Sequence, residues 1–321
     1  MISVDPALFQ DAAISSDMKE LNDFILKTME TLPEPFIFPP EMIRKVRMEG
    51  KGIFPLPNEA ANAEILEIKG PIFPVSLRVI RPTTRSSRGA FLHIHGGGWM
   101  FGSAREHDDY LVQAAEATGL TSVSVDYRLA PEMPYPAAQD DCEAAALWLF
   151  ENTGALFGGN ALVIGGESAG AQLSVATLAR LKTKHGLTPF HAANLNCGCF
   201  DLGLTPSAKT FGEARLILRT SDIRNFAARY LCGGGDTRDP DISPLYADVS
   251  GLPPALFTIG TSDALVDDSL LMALHWERAG NVAELKIVPG GCHAFTYFDT
   301  PTTHAIHQHM NDFVNAHIGD I

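Results

Sequence analysis

The chain has 321 residues, 45% hydrophobic and 19% charged, which suits two ordinary domains or one large α/β domain with a satellite and excludes extended disorder. Twenty-four basic against 38 acidic residues leave a formal charge of −14, which repels a phosphate backbone, so nucleic acid is not an expected partner. Residues 1–12 contain Asp5 and Asp11 and no base, and no apolar run approaches the roughly 18 residues of a membrane span; the expectation is a soluble, cytoplasmic protein with no membrane partner.

In chain order, Leu21, Phe24, Ile25, Thr28, Met29 and Leu32 at helical spacing predict a helix over 17–32, and Pro40 starts a second one through 48. From about residue 60 the periods alternate. Strands are expected at 63–68, 75–81, 90–95, 121–126, 162–166, 192–197, 255–259 and 283–288. Helices are expected at 104–118, 137–152, 169–184 and 264–279, with Gly119, Gly186 and Gly280 as C-terminal stops. This rhythm predicts an α/β fold, a mostly parallel sheet covered by helices on both faces.

Residues 202–235 break the rhythm with a helix over 222–231 opened by Ser221. The expected division is one cap, made of 1–55 and 202–235, over the C-terminal edge of a catalytic domain made of 56–201 and 236–321. Two unrelated decorations on the flanks are the alternative. Five scattered cysteines (Cys142, Cys197, Cys199, Cys232, Cys292) form no disulfide framework and no metal-ligand spacing, so buried free thiols are expected.

The sharpest local feature is Gly166-Glu167-Ser168-Ala169-Gly170, between the apolar run 161–164 and the helical segment 171–182. A serine on a tight strand-to-helix turn needs small neighbours, and the helix N-terminus turns peptide N–H groups toward negative charge beside Ser168. Upstream, His95-Gly96-Gly97-Gly98-Trp99 follows a strand directly, and bare glycine N–H groups there can hold an oxyanion. A phosphate cradle would want a following Lys-Ser/Thr, which the chain lacks. His93 and His95 face the same way, as metal ligands would, but the sequence offers no third ligand nearby. His95 is read as a brace for the glycine turn, with Gly96 beside it, and His93 as a packed core imidazole.

A serine hydroxyl needs a histidine base, and that base needs a carboxylate to fix its tautomer. Asp263 follows the strand at 255–259, and His293 follows an expected turn at 288–291. Both stand where an open parallel sheet assembles its sites. Asp267 and Asp268 compete for the acid role but fall inside the next helix. His304, His307 and His309 are read as a solvated face of the last helix.

These residues resemble the bacterial hormone-sensitive-lipase-like esterases of the α/β-hydrolase superfamily. The resemblance rests on 95–99, on Asp126-Tyr127-Arg128-Leu129-Ala130-Pro131-Glu132 with Tyr135-Pro136-Ala137, on the turn at Ser168, on Ser243-Pro244-Leu245-Tyr246, on Asp263 and on His293-Ala294-Phe295. It implies an eight-stranded α/β-hydrolase sheet, a helical cap and carboxylic-ester hydrolysis without a cofactor or metal. It also implies oxyanion donors at the N–H groups of Gly97, Gly98 and Ala169, and a homodimer as a common assembly. The chain departs from the family's usual Asp at Glu167 and from its usual glycine at Ala171. Ala294 stands where glycine is usual after the histidine, a change read as neutral. Gly-Glu-Ser-Ala-Gly is typical of the longer, disulfide-bearing cholinesterase-like carboxylesterases, and His-Gly-Gly-x-Trp also occurs in arylformamidases.

The expected reaction is a two-step acyl transfer on short-to-medium acyl esters. An amide or formamide hydrolase with the same triad, and a non-catalytic ligand-binding α/β-hydrolase, are the alternatives. Phe24, Phe36, Phe38, Met42, Phe211 and Leu218 are candidates either to line the pocket or to hold the cap together.

Overall fold

A computed structural model describes residues 1–319. The strands are β1 (Glu64–Ile68), β2 (Val75–Ile80), β3 (Gly89–Ile94), β4 (Thr121–Asp126), β5 (Ala161–Glu167), β6 (Ala192–Asn196), β7 (Ala255–Ser262) and β8 (Ala283–Cys292). They form one eight-stranded sheet in the order β1-β2-β4-β3-β5-β6-β7-β8. β1, β2 and β4 pair antiparallel, and every pairing from β4 through β3 to β8 is parallel. β3 and β5 are buried along their whole length, as continuous apolar runs under helices on both faces must be, whereas edge strand β1 is mostly exposed.

The helices are α1 (Ser16–Thr31), α2 (Pro40–Met48), α3 (Asp108–Thr118), α4 (Ala137–Phe157), α5 (Ala169–His185), α6 (Pro206–Thr210), α7 (Thr220–Leu231), α8 (Val266–Arg278) and α9 (Pro301–Ile318). One apolar core gathers Cys142, Leu149, Leu173 and Trp276 from α4, α5 and α8; a second, on the opposite face, gathers Ile25, Leu111 and Phe313 from α1, α3 and α9. None of the helices among the described residues is long and apolar enough to cross a membrane.

Several expectations need correction. Residues 104–107 are a turn, because the Ala104 N–H donates to Asp126 Oδ1 at 2.7 Å, and α3 begins only at Asp108. α4 runs on to Phe157, where Gly158 supplies the left-handed stop (φ 73°). The expected turn at 288–291 is instead the end of β8. A Cβ on Gly260 would lie 1.9 Å from Gly291 O, so the glycines serve a close crossing of two strands. Ser221 does not open α7; the Asp222 carboxylate reaches back to the Arg219 N–H at 3.1 Å and does the capping, while Ser221 hydrogen-bonds Glu213.

The 202–235 stretch meets the N-terminal segment directly. Arg219 Nη2 lies 2.6 Å from Glu34 Oε2, Arg215 Nη1 donates to Leu32 O at 2.7 Å, and the Phe36 and Phe226 rings meet edge-on with centroids 4.9 Å apart. Four cysteines are buried and all five are free, but Cys232 is exposed, against the expectation of burial, because it terminates α7 at φ 50° on the surface. His307 leaves the solvated face assigned to it and lies against the Tyr110 ring, 4.5 Å between centroids; burial draws its pKa down to about 4.

Candidate active site

β5 and α5 meet at Ser168, whose backbone (φ 57°, ψ −119°) is one that an ordinary residue avoids. The turn presses onto the end of β3: a Cβ on Gly170 would stand 1.8 Å from Ile94 O, so only glycine fits. The Ser168 N–H donates to Asn196 O at 2.9 Å, which pins the turn to the neighbouring strand. This half-buried hydroxyl therefore points out of the C-terminal edge of the sheet.

Asp263, past the end of β7, and His293, past the end of β8, come to that same edge. His293 Nε2 lies 3.0 Å from Ser168 Oγ, and His293 Nδ1 lies 2.9 Å from Asp263 Oδ2. The Leu265 N–H donates to the other Asp263 oxygen at 2.9 Å, which fixes the carboxylate. Burial alone would lower the proton affinity of His293, but the Asp263 charge more than reverses this and holds the imidazole well above its ordinary pKa. Asp267 and Asp268 point elsewhere. Asp268 accepts from Phe200 N–H, Asp201 N–H and the Thr205 hydroxyl, with burial pushing its carboxyl up to about 7, and Asp267 accepts from Ser207 N–H.

Beside Ser168, the loop after β3 carries Gly97 (φ 115°) and Gly98 (φ 61°). Among the described residues neither glycine N–H, nor that of Ala169 at the first position of α5, has an acceptor. Three free donors thus surround the serine. His95 is buried, stacks on Tyr127 with centroids 4.2 Å apart, and bonds Gly96 O through Nδ1 at 2.8 Å.

His93 is more than a packed imidazole. Its Nε2 lies 3.1 Å from Glu167 Oε2 and its Nδ1 2.9 Å from Ser124 Oγ, while His107 Nε2 stands 2.8 Å from Glu167 Oε1. Among the described residues two sets have donor atoms within 4.8 Å of one another: His93, His107 and Glu167, and the buried Cys197, Asp263 and His293. Either set has the spacing to hold a cation, but most of these donors already engage one another. His107 and Tyr297, whose hydroxyl donates to Glu167 at 3.2 Å, had no signal in the sequence beyond the unusual Glu167 they surround.

Above the serine opens a cleft floored by Ser168, His293 and the glycine loop. Phe36, Ile43, Ile53, Leu218 and Phe226 are among its apolar walls. Of the six candidate lining residues, Phe36 and Leu218 take part; Phe24, Phe38, Met42 and Phe211 do not, and Phe24 and Met42 are exposed. Arg47 also lines the cleft, its charge met by Glu106 at 2.5 Å. Ala294 takes a left-handed backbone (φ 56°), so the residue read as neutral bears a strain that glycine would not, about 1 kcal/mol.

The alpha/beta hydrolase fold family matches residues 91–297. The carboxylic ester hydrolase LipN of Mycobacterium tuberculosis is 34% identical over 238 residues, which are 72% of this chain and 63% of LipN. Thus the match spans just under two thirds of that relative. The carboxylesterase NlhH of the same species is 37% identical over 226 residues, 68% of this chain and 69% of its own. Among solved structures, a hormone-sensitive lipase from a metagenome library superposes with a TM-score of 0.83 at 28% identity, covering 95% of this chain and 100% of its own. Sequence and fold agree, and the chain belongs to the alpha/beta hydrolase fold family.

Proposed function

We propose that this protein hydrolyses carboxylic esters through an acyl-enzyme on Ser168. His293 takes the Ser168 proton as Oγ attacks the ester carbonyl, and the oxyanion rests on the N–H groups of Gly97, Gly98 and Ala169. His293 then protonates the leaving alcohol, and water repeats the attack to release the acid and restore the serine. Asp263 stays ionised, fixes the tautomer and stabilises the imidazolium. His95 and Gly96 support the donor loop.

The observation that carries this reading is the relay from Ser168 through His293 to Asp263, at 3.0 and 2.9 Å, beside three N–H groups without acceptors. The same contacts argue against a non-catalytic ligand-binding role. Fluorophosphonate labelling of the parent and of Ser168→Ala is the test. The parent should label and hydrolyse p-nitrophenyl esters, and the variant should do neither; a Ser168→Ala enzyme with near-parental activity would overturn the assignment. An ester measured against its matching amide separates this reading from an amide or formamide hydrolase.

Short-to-medium acyl chains fit apolar walls drawn from two segments that close over the serine. A p-nitrophenyl series from acetate to palmitate should peak at the short end. We take 1–55 and 202–235 as one cap on a catalytic domain of 56–201 and 236–321, supported by the Arg219–Glu34 and Phe36–Phe226 contacts. Five free thiols suit a reducing compartment such as the cytoplasm. A homodimer is the expected assembly, and light scattering tests it.

A further inference from the structure

The N–H groups of Gly97 and Gly98 can hold an oxyanion only if the loop that carries them stays in register with Ser168. That loop is built from glycines with left-handed backbones, so its own stiffness is small. Within the loop, Met100 and Phe101 N–H groups donate to Gly97 O and His95 Nδ1 to Gly96 O, while its flanks are held from outside, by Tyr127 Oη on His95 O, Ala130 N–H on Trp99 O and Trp99 Nε1 on Gln172 Oε1, each at 2.9 Å. Among the described residues one hydrogen bond joins positions 96–98 to the serine turn, from the Gly96 N–H to Glu167 Oε1 at 2.5 Å.

Glu167 is the residue immediately before Ser168, 4% exposed, and its carboxylate is crowded with donors. Besides Gly96 it meets Tyr297 Oη at 3.2 Å, His93 Nε2 at 3.1 Å and His107 Nε2 at 2.8 Å. Tyr297 lies on the segment that carries His293. One carboxylate thus touches the donor loop, the nucleophile turn and the histidine loop. Gly96 is shaped for it: a Cβ there would sit 3.3 Å from both Glu167 Cγ and Oε1 and 2.8 Å from Glu167 O. Burial alone would protonate the carboxyl, but His107 and His93 outweigh burial and hold it well below the usual carboxylate range, so it stays an acceptor.

We propose that Glu167 is a positioning residue for turnover: by holding the Gly96 N–H it sets where the Gly97 and Gly98 donors stand relative to the oxyanion on Ser168. The proposal rests on the Ser168 reading above. Donors used only after the carbonyl has become tetrahedral act on kcat and leave ground-state binding almost untouched. A carboxylate that merely stabilised the fold would move the melting temperature instead.

The test compares Glu167→Gln, Glu167→Asp and Ser168→Ala on p-nitrophenyl butyrate, with melting temperature and the inhibition constant of a trifluoromethyl ketone. The ketone adds Ser168 to give a tetrahedral oxyanion in the same site. Glu167→Gln keeps the volume but loses the charge, and Glu167→Asp keeps the charge but falls one methylene short of Gly96. The expected result in each is a ten- to hundredfold fall in kcat, a KM within threefold of the parent and a ketone affinity that falls in step with kcat/KM. A folded variant of either kind with kcat within twofold of the parent overturns the proposal. So does a loss carried by KM with ketone affinity unchanged, and so does failure of both glutamate variants to fold, which would make Glu167 a residue of the fold alone. If Glu167→Gln alone is unfolded, Glu167→Asp decides. Activity surviving in Ser168→Ala would overturn the nucleophile assignment itself; an inactive Ser168→Ala beside a normal Glu167→Gln removes only the present proposal.

Discussion

The ring of Phe226 lies so close over Gly98 that a Cβ on the glycine would stand 2.3 Å from its Cδ1. A cleft wall and the proposed oxyanion donor therefore share one contact surface. Gly98→Ala should push the loop off Phe226 and lower kcat/KM roughly a hundredfold, the scale of losing one donor. The double variant Gly98→Ala/Phe226→Ala should recover part of the loss, because the added methyl then has room. Steady-state kinetics of the two singles and the double measure the coupling; strict additivity would count against steric contact as the cause.

Activity should have an alkaline bias. In the proposed mechanism the neutral imidazole of His293 is the base; the Asp263 charge, outweighing the opposing effect of burial, raises its pKa, so kcat/KM should fall as pH drops through that raised value. Asp263→Asn should cut kcat by about 10⁴-fold and move the acid limb of the residual activity to lower pH. Stability runs the other way. A raised imidazole pKa stabilises the fold fully below the unfolded value, and this contribution is lost as pH rises through the folded one. Paired pH–rate and pH–melting series on the parent and Asp263→Asn test both signs, and an unmoved acid limb would count against His293 as the base.

Arg219 joins Glu34 on one side and Asp222 on the other, with Arg219 and Asp222 both on the cleft. Because Glu34 is exposed, removing the pair should cost the fold only about 1 kcal/mol or less. Arg219→Ala should raise KM several-fold with kcat nearly unchanged, as the cleft wall loosens. High salt should raise the parent's KM in the same direction, and equal kinetics in parent and variant would show that the bridge leaves the cleft unaffected.

Thiol chemistry should single out one position. Cys232 is exposed, while Cys142, Cys197, Cys199 and Cys292 are buried, and burial raises the thiols of Cys142, Cys199 and Cys292. Titration with an aromatic disulfide reagent should give one fast equivalent in the native protein and five after denaturation. Cys232→Ser should abolish the fast phase without changing hydrolysis.

The centre of the sheet was legible because β3 and β5 are short runs buried on both faces, and β4 because Val123 and Val125 alternate with serines between helical periods. Ser168, Asp263 and His293 were legible by their places after strand ends, and the structure brings all three within hydrogen-bond reach. What stayed hidden depends on lateral packing. Pro289-Gly290-Gly291 has turn composition, yet the close approach of Gly260 and Gly291 makes it strand. His107 and Tyr297 reach Glu167 from 60 residues before it and 130 after it, a distance no local spacing encodes. Ser221 looked like a cap because serine usually serves as one, but the Asp222 carboxylate took the role.

The floor of the cleft is fastened to strand ends, whereas its walls come largely from the stretches around Phe36 and Ile53 and around Leu218 and Phe226, remote from one another along the chain. Because Phe226 leans on Gly98, any exchange of those stretches, by natural drift or laboratory recombination, would reshape the wall and shift the glycine loop together, so the two have to vary in concert.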